Sequence, residues 1–249
     1  MTSFQSLLSE NVRKQAEEPV GKRLLAEYGA VFAARGGAFP PDRIIFKDDL
    51  EVDEFQNKVR YKSIRFGDLN IELQSAAATS LSEAIGAASV AGLTISPRGK
   101  DSGRRRYEET VRLWLSRVEP ALDHWTAKDK LSSEDAERIR TLSPFQQVPV
   151  VLALEEKGIF FSKDLSKTIL YSVAPPGTSQ HLAMLAFDVA EFDRAKVREI
   201  LACHFWYQTV PSDLPHFTFL GVPESELTGL GLKKLTQSER PFWIPDLAE

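Results

Sequence analysis

The stretch Leu185-Ala186-Phe187-Asp188-Val189 is the starting point for interpreting this chain. Side chains alternate across a strand, so Ala186 and Asp188 share one face. Phe187 and Val189 share the other face, which we expect to point into the core. The carboxylate then stands beside a small residue and leaves room for a ligand. The stretch therefore predicts a strand that contributes one polar group to a site.

A second segment, His216-Phe217-Thr218-Phe219-Leu220, alternates in the same way. His216 and Thr218 share a face, opposite two phenylalanines. Pro215 precedes the segment and is acceptable at the start of a strand. Two neighbouring strands could thus each present one ligand to a common cleft. A loop with the sequence Pro-Pro-Gly, at residues 175–177, would deliver a third ligand, His181.

The remaining pattern places helices first and strands later. Apolar residues recur at helical spacing in three segments, at residues 4–28, 71–91 and 107–125. The charged segment 132–142 is also predicted to be a helix, because its first residues suit a helix N-terminus. Strand patterns dominate after residue 150, including residues 158–161 and 169–173, with one helix at 193–203. This order predicts an α+β fold, with a small, mostly antiparallel sheet flanked by helices. We expect residues 1–60 to form an N-terminal helical extension and residues 61–249 to form the main domain.

Composition limits the classes of function. The chain has 249 residues, enough for one sizeable core or two small ones. Its net charge of −4 argues against nucleic acid as a partner, because phosphate binding depends on an excess of Lys and Arg. A single cysteine, Cys203, excludes an internal disulfide. We predict no membrane span, since no apolar run reaches about 18 residues. The first residues lack the features of a signal peptide, and the oligomeric state stays open.

Two of the four histidines, His181 and His216, fall near Asp188 in this pattern. Two imidazoles and one carboxylate are a ligand set for a catalytic zinc ion, because three protein ligands leave the fourth position open for water. Asp213, three residues before His216, stands where a general base for that water is wanted. The alternative is that both histidines are ordinary and that Asp188 caps a turn.

The surrounding sequence favours the metal site. Ser179-x-His181-x4-Ala186-x-Asp188, followed by Asp213-x-x-His216, resembles the zinc D-alanyl-D-alanine carboxypeptidase family. These are the vancomycin-resistance-type D,D-peptidases, related to the zinc fold of hedgehog domains. Their pattern reads Ser-x-His-x-x-Gly-x-Ala-x-Asp and then Glu-x-x-His. The Ala-Pro-Pro-Gly lead-in at 174–177 and the segment 102–108, Ser-Gly-Arg-Arg-Arg-Tyr-Glu, are also similar to the family. The resemblance extends over about residues 93–221.

The resemblance implies a role for each matching residue. It makes His181, Asp188 and His216 the zinc (Zn2+) ligands, with Asp213 and Arg105 as the catalytic residues. Arg105 would hold the carboxylate of the substrate or the developing oxyanion, and Ser102 and Ser179 would complete the substrate site. Residues 61–249 would be a zinc D,D-peptidase-like catalytic domain whose substrates are peptides derived from peptidoglycan. Such a substrate places the protein in the periplasm or outside the cell.

Three departures from the family pattern bear on activity. Asp213 stands in place of Glu, which shortens the expected base by one methylene, and Met184 stands in place of Gly. Arg104 and Arg106 replace the Tyr and Ser that flank the anchor in the family, which changes the charge at the mouth of the site. An error of about 1 Å in position can lower a rate by roughly a hundredfold. A rival hypothesis is therefore a catalytically silent, zinc-containing module that binds cell-wall peptides. A third, a zinc-free scaffold, leaves the spacing of the motif unexplained.

Overall fold

A computed structural model describes residues 3–247. The chain forms two compact units that alternate along the sequence. The first contains residues 3–44, 53–105 and 180–247, and the second contains residues 45–52 and 106–179. Residues on both sides of position 60 lie in the first unit. Whether residues 1–60 are separable as an extension stays a prediction.

The predicted α+β class is confirmed. The helices of the described residues are α1 (Glu10–Glu17), α2 (Pro19–Tyr28), α3 (Asp49–Lys58), α4 (Ser75–Val90), α5 (Tyr107–Ala127), α6 (Ser133–Thr141), α7 (Pro144–Glu155), α8 (Ala195–Cys203) and α9 (Glu224–Leu227). The strands are β1 (Tyr61–Phe66), β2 (Leu69–Gln74), β3 (Ala186–Asp188), β4 (Trp206–Tyr207), β5 (His216–Phe219), β6 (Leu232–Gln237) and β7 (Arg240–Pro245). They form three small antiparallel sheets, β1-β2, β3-β5-β4 and β6-β7, rather than one.

The three-stranded sheet brings the two predicted strands together. β3 and β5 pair antiparallel, with Asp188 opposite His216 and Phe187 opposite Phe217. Both phenylalanines are buried, with at most 1% of their surface exposed. Alternation therefore places the carboxylate and the imidazole on the same face of the sheet, as expected from the sequence.

Two of the predicted helices, at residues 4–28 and 71–91, are shorter than expected or interrupted. The N-terminal segment breaks at Glu18, which is extended (ψ 140°) because the following Pro19 disfavours the helical conformation there and instead begins α2. In the segment 71–91 the first residues form strand β2, and α4 begins only at Ser75. Ile71 and Leu73 alternate as buried residues against β1, across a two-residue turn whose Gly67 has φ 57°. The hairpin partner thus overrides the helical pattern.

The second unit is helical, and its helices begin at residues that the sequence marks. The hydroxyl of Ser132 accepts a hydrogen bond from the backbone N–H of Asp135 at the start of α6. Ser143 and Gln146 form a reciprocal capping box at the start of α7. Trp114 is fully buried and donates a 3.0 Å hydrogen bond to Gln147.

The strands predicted at 158–161 and 169–173 are not formed. The buried carboxylate of Glu155 accepts hydrogen bonds from the backbone N–H groups of Phe161 (3.3 Å) and Ile169 (2.6 Å). These N–H groups are satisfied by a side chain, so they need no neighbouring strand. Residues Ile169–Tyr171 form a 3-10 turn instead. Along the described chain, no helix combines the length and the apolar character that crossing a membrane requires.

Candidate metal centre

Three ligand groups converge in the first unit from three backbone elements. His181 lies in the 3-10 turn Gln180–Ala183, Asp188 ends β3, and His216 begins β5. One nitrogen of each imidazole and one carboxylate oxygen lie within 4.8 Å of one another. Both histidines are buried, and the Asp188 side chain is 14% exposed. The residues therefore form a His-Asp-His group that could hold a metal ion.

The backbone fixes which nitrogen of His181 faces this group. Its Nδ1 lies 2.7 Å from the carbonyl oxygen of Gly103. A carbonyl can only accept, so Nδ1 carries the proton and Nε2 presents a lone pair. Nε2 is buried and lies 3.2 Å from Oδ1 of Asp188. It has no hydrogen-bond partner among residues 3–247.

A side chain performs the same task for His216. Its Nε2 lies 3.0 Å from Oε1 of Gln180, whose amide nitrogen donates a 2.8 Å hydrogen bond to the carbonyl of Tyr28. This second bond orients the amide, so Oε1 is the atom that faces the imidazole. His216 therefore donates from Nε2, and its neutral form presents the lone pair of Nδ1. Nδ1 lies 3.2 Å from Oδ1 of Asp188.

Three electron pairs thus point at one small volume. Two neutral imidazole nitrogens and a carboxylate oxygen repel one another at these distances unless something positive lies between them. A proton on His216 would satisfy two of the three atoms. A metal cation satisfies all three, including the orphaned Nε2 of His181. The donor set and its protonation therefore fit a metal ion.

The charge state of the group also suits a cation. Burial alone would raise the pKa of Asp188, but the positive charge of the neighbouring imidazoles in their protonated form outweighs burial and holds that pKa well below its ordinary value. Burial lowers the pKa of His181, and the nearby Arg105 guanidinium lowers it further. At neutral pH, Asp188 is therefore ionised and His181 is neutral, which is the form in which each binds a metal.

Arg105 contacts Asp188, one of the three candidate ligands, rather than standing apart from it. Its Nη2 donates a 2.8 Å hydrogen bond to Oδ2 of Asp188, and its Nε donates to the carbonyl of Asp101 at 3.0 Å. The Arg105 side chain is only 15% exposed. Within residues 3–247, its Nη1 has no acceptor, so this nitrogen is the group left for another partner.

The two serines assigned to the substrate site are both buried. Ser102 is 1% exposed, its hydroxyl accepts from the N–H of Gly99 (2.9 Å), and its carbonyl accepts from the N–H of Asp188 (3.0 Å). It therefore holds the backbone of a ligand. Ser179 is 7% exposed, belongs to the second unit and directly precedes Gln180 in the chain.

The carboxylate of Asp213 is not among the three convergent groups. Asp213 is exposed, in the turn before β5, and its carbonyl accepts a 3.1 Å hydrogen bond from the N–H of His216. Glu191, three residues after Asp188, accepts hydrogen bonds from Ser96 with both carboxylate oxygens, at 2.9 Å from the backbone nitrogen and 2.7 Å from the hydroxyl oxygen.

Met184, at the position where the resembled family has Gly, adopts a left-handed conformation with φ 53°. This region favours glycine, because a Cβ is crowded there. Its side chain is fully buried, so it belongs to the core of the first unit. The local backbone thus has the form that the family pattern implies, with a larger residue in it.

Sequence reasoning missed the residues that orient the ligands. Gln180 occupies the unspecified position between Ser179 and His181, and Gly103 acts through its backbone carbonyl, which any residue possesses. Thr218, whose hydroxyl donates to Oε1 of Gln180, did carry a signal in the sequence, because it shares a strand face with His216.

Searches against the profiles of known protein families and against characterised proteins find no match to this chain.

Proposed function

We propose that the chain is a zinc-dependent peptidase that hydrolyses D-alanyl-D-alanine-type peptides of peptidoglycan stems. The observation that carries this proposal is the convergence of lone pairs from His181, Asp188 and His216 on one point. The spacing of these residues, read with Ser179 and Asp213, is the spacing of the zinc D,D-peptidases that the sequence resembles.

Zinc is the metal that this donor set favours. Mg2+ and Ca2+ prefer oxygen ligands, whereas two imidazoles and a carboxylate suit zinc with an open fourth position. Zinc bound here would supply a Lewis acid that polarises the scissile carbonyl and acidifies a water molecule.

Two side chains would supply the remaining chemistry. Asp213 is the candidate general base, and its exposed position leaves it free to reach a water or a leaving amine. Arg105 orients Asp188 through Nη2, and its unpaired Nη1 is the group offered to the terminal carboxylate of a substrate. A charged, planar donor suits that partner.

The exposure of Asp213 also favours the second candidate, a zinc-containing module that binds cell-wall peptides without cleaving them. A carboxylate performs proton transfer only within hydrogen-bond reach of the metal-bound water, and that of Asp213 is exposed and is not part of the His-Asp-His group. Both candidates bind metal, so metal content alone does not separate them.

Turnover separates them. Protein purified without chelator should contain one zinc per chain, and His181→Ala or His216→Ala should empty the site. Hydrolysis of a D-alanyl-D-alanine peptide is then compared for wild type, Asp213→Asn and Asp213→Glu at equal zinc occupancy. Asp129→Asn, at an exposed turn residue, is the matched control.

An active wild type and an inactive Asp213→Asn variant support the peptidase. If the wild type is inactive and Asp213→Glu is active, the chain is a binding module that has lost its base. Equal activity in wild type and Asp213→Asn removes Asp213 from the mechanism. Iron in place of zinc contradicts the proposal, because two histidines and a carboxylate also bind iron in oxygenases.

A further inference from the structure

Gln180 is buried and belongs to a closed ring of hydrogen bonds that also contains Thr209 and Thr218. Its Nε2 donates to the carbonyl of Tyr28 (2.8 Å) and to Oγ1 of Thr209 (3.4 Å). Its Oε1 accepts from Nε2 of His216 (3.0 Å) and from the hydroxyl of Thr218. The two threonine hydroxyls lie 2.6 Å apart, which closes the ring.

This ring permits only one orientation of the amide. A flipped amide would set its oxygen against the carbonyl oxygen of Tyr28. That contact would be repulsive, and buried polar groups without partners are costly. Gln180 is only 3% exposed, so water cannot relieve it.

We propose that Gln180 is a positioning residue that selects the tautomer of His216. By accepting the Nε2 proton, it leaves the lone pair of Nδ1 facing Asp188 and prepares the site for a metal. Without Gln180, the acceptor that remains for a neutral His216 is Oδ1 of Asp188, 3.2 Å from Nδ1. The proton would then occupy the place of the metal. The inference rests on the proposed function only in that a metal binds here.

The test is Gln180→Met, which keeps the length of the side chain and removes its hydrogen bonds. Zinc affinity is measured by competition with a chelator, and loss of an outer partner of this kind weakens binding by about 10–100-fold. Gln147→Met is the matched control. Gln147 is equally buried in the second unit, accepting from Trp114 and donating to a backbone carbonyl, so its loss should affect stability and leave zinc affinity unchanged.

A second measurement needs no zinc. Nitrogen-15 NMR of metal-free wild type in mildly alkaline buffer should show the His216 proton on Nε2, and Gln180→Met should move it to Nδ1. A proton on Nδ1 in the wild type overturns the proposal, as does a zinc affinity of Gln180→Met within about twofold of wild type. A wild type that takes up no zinc contradicts the proposed function, while the tautomer still decides the role of Gln180.

Discussion

The convergence of three acceptors on one point predicts that Asp188→Asn reverses its effect on stability when zinc is added. In the variant, the amide NH2 replaces Oδ1, which lies 3.2 Å from both Nε2 of His181 and Nδ1 of His216. It can donate one hydrogen to each lone pair. The amide oxygen replaces Oδ2 and still accepts from Arg105, at a position 2.8 Å from Nη2. Without metal, the asparagine side chain therefore forms hydrogen bonds with both imidazole lone pairs, which the aspartate leaves without a donor.

The magnitudes favour the variant when metal is absent. Two new neutral hydrogen bonds contribute about 1 kcal/mol each, and the bond to Arg105 loses about 1 kcal/mol because it is no longer between opposite charges. Asp188→Asn should therefore raise the free energy of unfolding by about 1 kcal/mol in the presence of chelator. Zinc at a hundred times its dissociation constant stabilises the wild type by about 2.7 kcal/mol, whereas the variant lacks a ligand and gains nothing.

The assay is urea denaturation in mildly alkaline buffer, followed by tryptophan fluorescence, with chelator and with zinc. Asp129→Asn, an exposed exchange of the same kind, should change neither curve by more than about 0.5 kcal/mol. The reasoning is refuted if Asp188→Asn is about 2 kcal/mol less stable than wild type under chelator. It is equally refuted if zinc stabilises the variant as much as the wild type.

Three further predictions concern the surrounding fold. Met184→Gly removes the strain of a left-handed backbone, which is about 1 kcal/mol, but leaves a cavity at a fully buried position at a cost of about 2–5 kcal/mol. Urea denaturation should therefore show a lower free energy of unfolding, and a stabilised variant would contradict this. Burial, together with the charges of Asp48, Asp49 and Glu51, raises the pKa of Tyr107 from 10.0 to about 12. The unfolded chain therefore loses this proton at lower pH than the folded chain. The free energy of unfolding should fall by up to about 1.4 kcal/mol per pH unit between those two values. Ultraviolet titration of wild type against Tyr107→Phe checks this, and a tyrosine that ionises near pH 10 at this position would count against it. Glu155→Ala should lower the free energy of unfolding by about 2–4 kcal/mol, because two buried N–H groups lose their acceptor. The control Glu156→Ala, at an exposed position, should change it very little. Equal midpoints of the two variants in thermal denaturation would disprove the role given to Glu155.

The elements that could be predicted are those whose local pattern and tertiary role agree. β3 and β5 alternate between core phenylalanines and site residues, α5 shows helical spacing, and α6 begins at a recognisable N-cap residue, Ser132. The segments 158–161 and 169–173 failed because short apolar runs do not reveal their period. Their backbone donors are satisfied by Glu155, a residue outside both runs.

The hairpin β6-β7 shows a different limit. Its turn residues, Ser238 and Glu239, both have positive φ (49° and 61°), a conformation that usually announces itself through Gly or Asn. The strand β6 is almost entirely exposed, so it carries no apolar alternation. Neither of the usual signals is therefore present in the sequence.

Within the site, the sequence indicated the three residues that could hold a metal ion but not what orients them. His181, Asp188 and His216 are residue types tied to metal binding, and their spacing fits two paired strands and a turn. Gln180 and the carbonyl of Gly103 act through contacts that only the folded chain creates. Likewise, an arginine is expected to bind a carboxylate, but the sequence does not show that the partner of Arg105 is the carboxylate of Asp188.

The distances along the chain between the parts of this site determine when it can form during folding. The bond from Gln180 to Tyr28 joins residues 152 positions apart, and the one from His181 to Gly103 joins residues 78 apart. Closing such loops costs chain entropy before the contacts compensate for it, so we expect the ligands to converge only after the first unit has formed. An ion present during refolding meets no preformed site. Zinc should then slow unfolding and leave the folding rate unchanged, prolonging the lifetime of the native state without helping the chain to reach it.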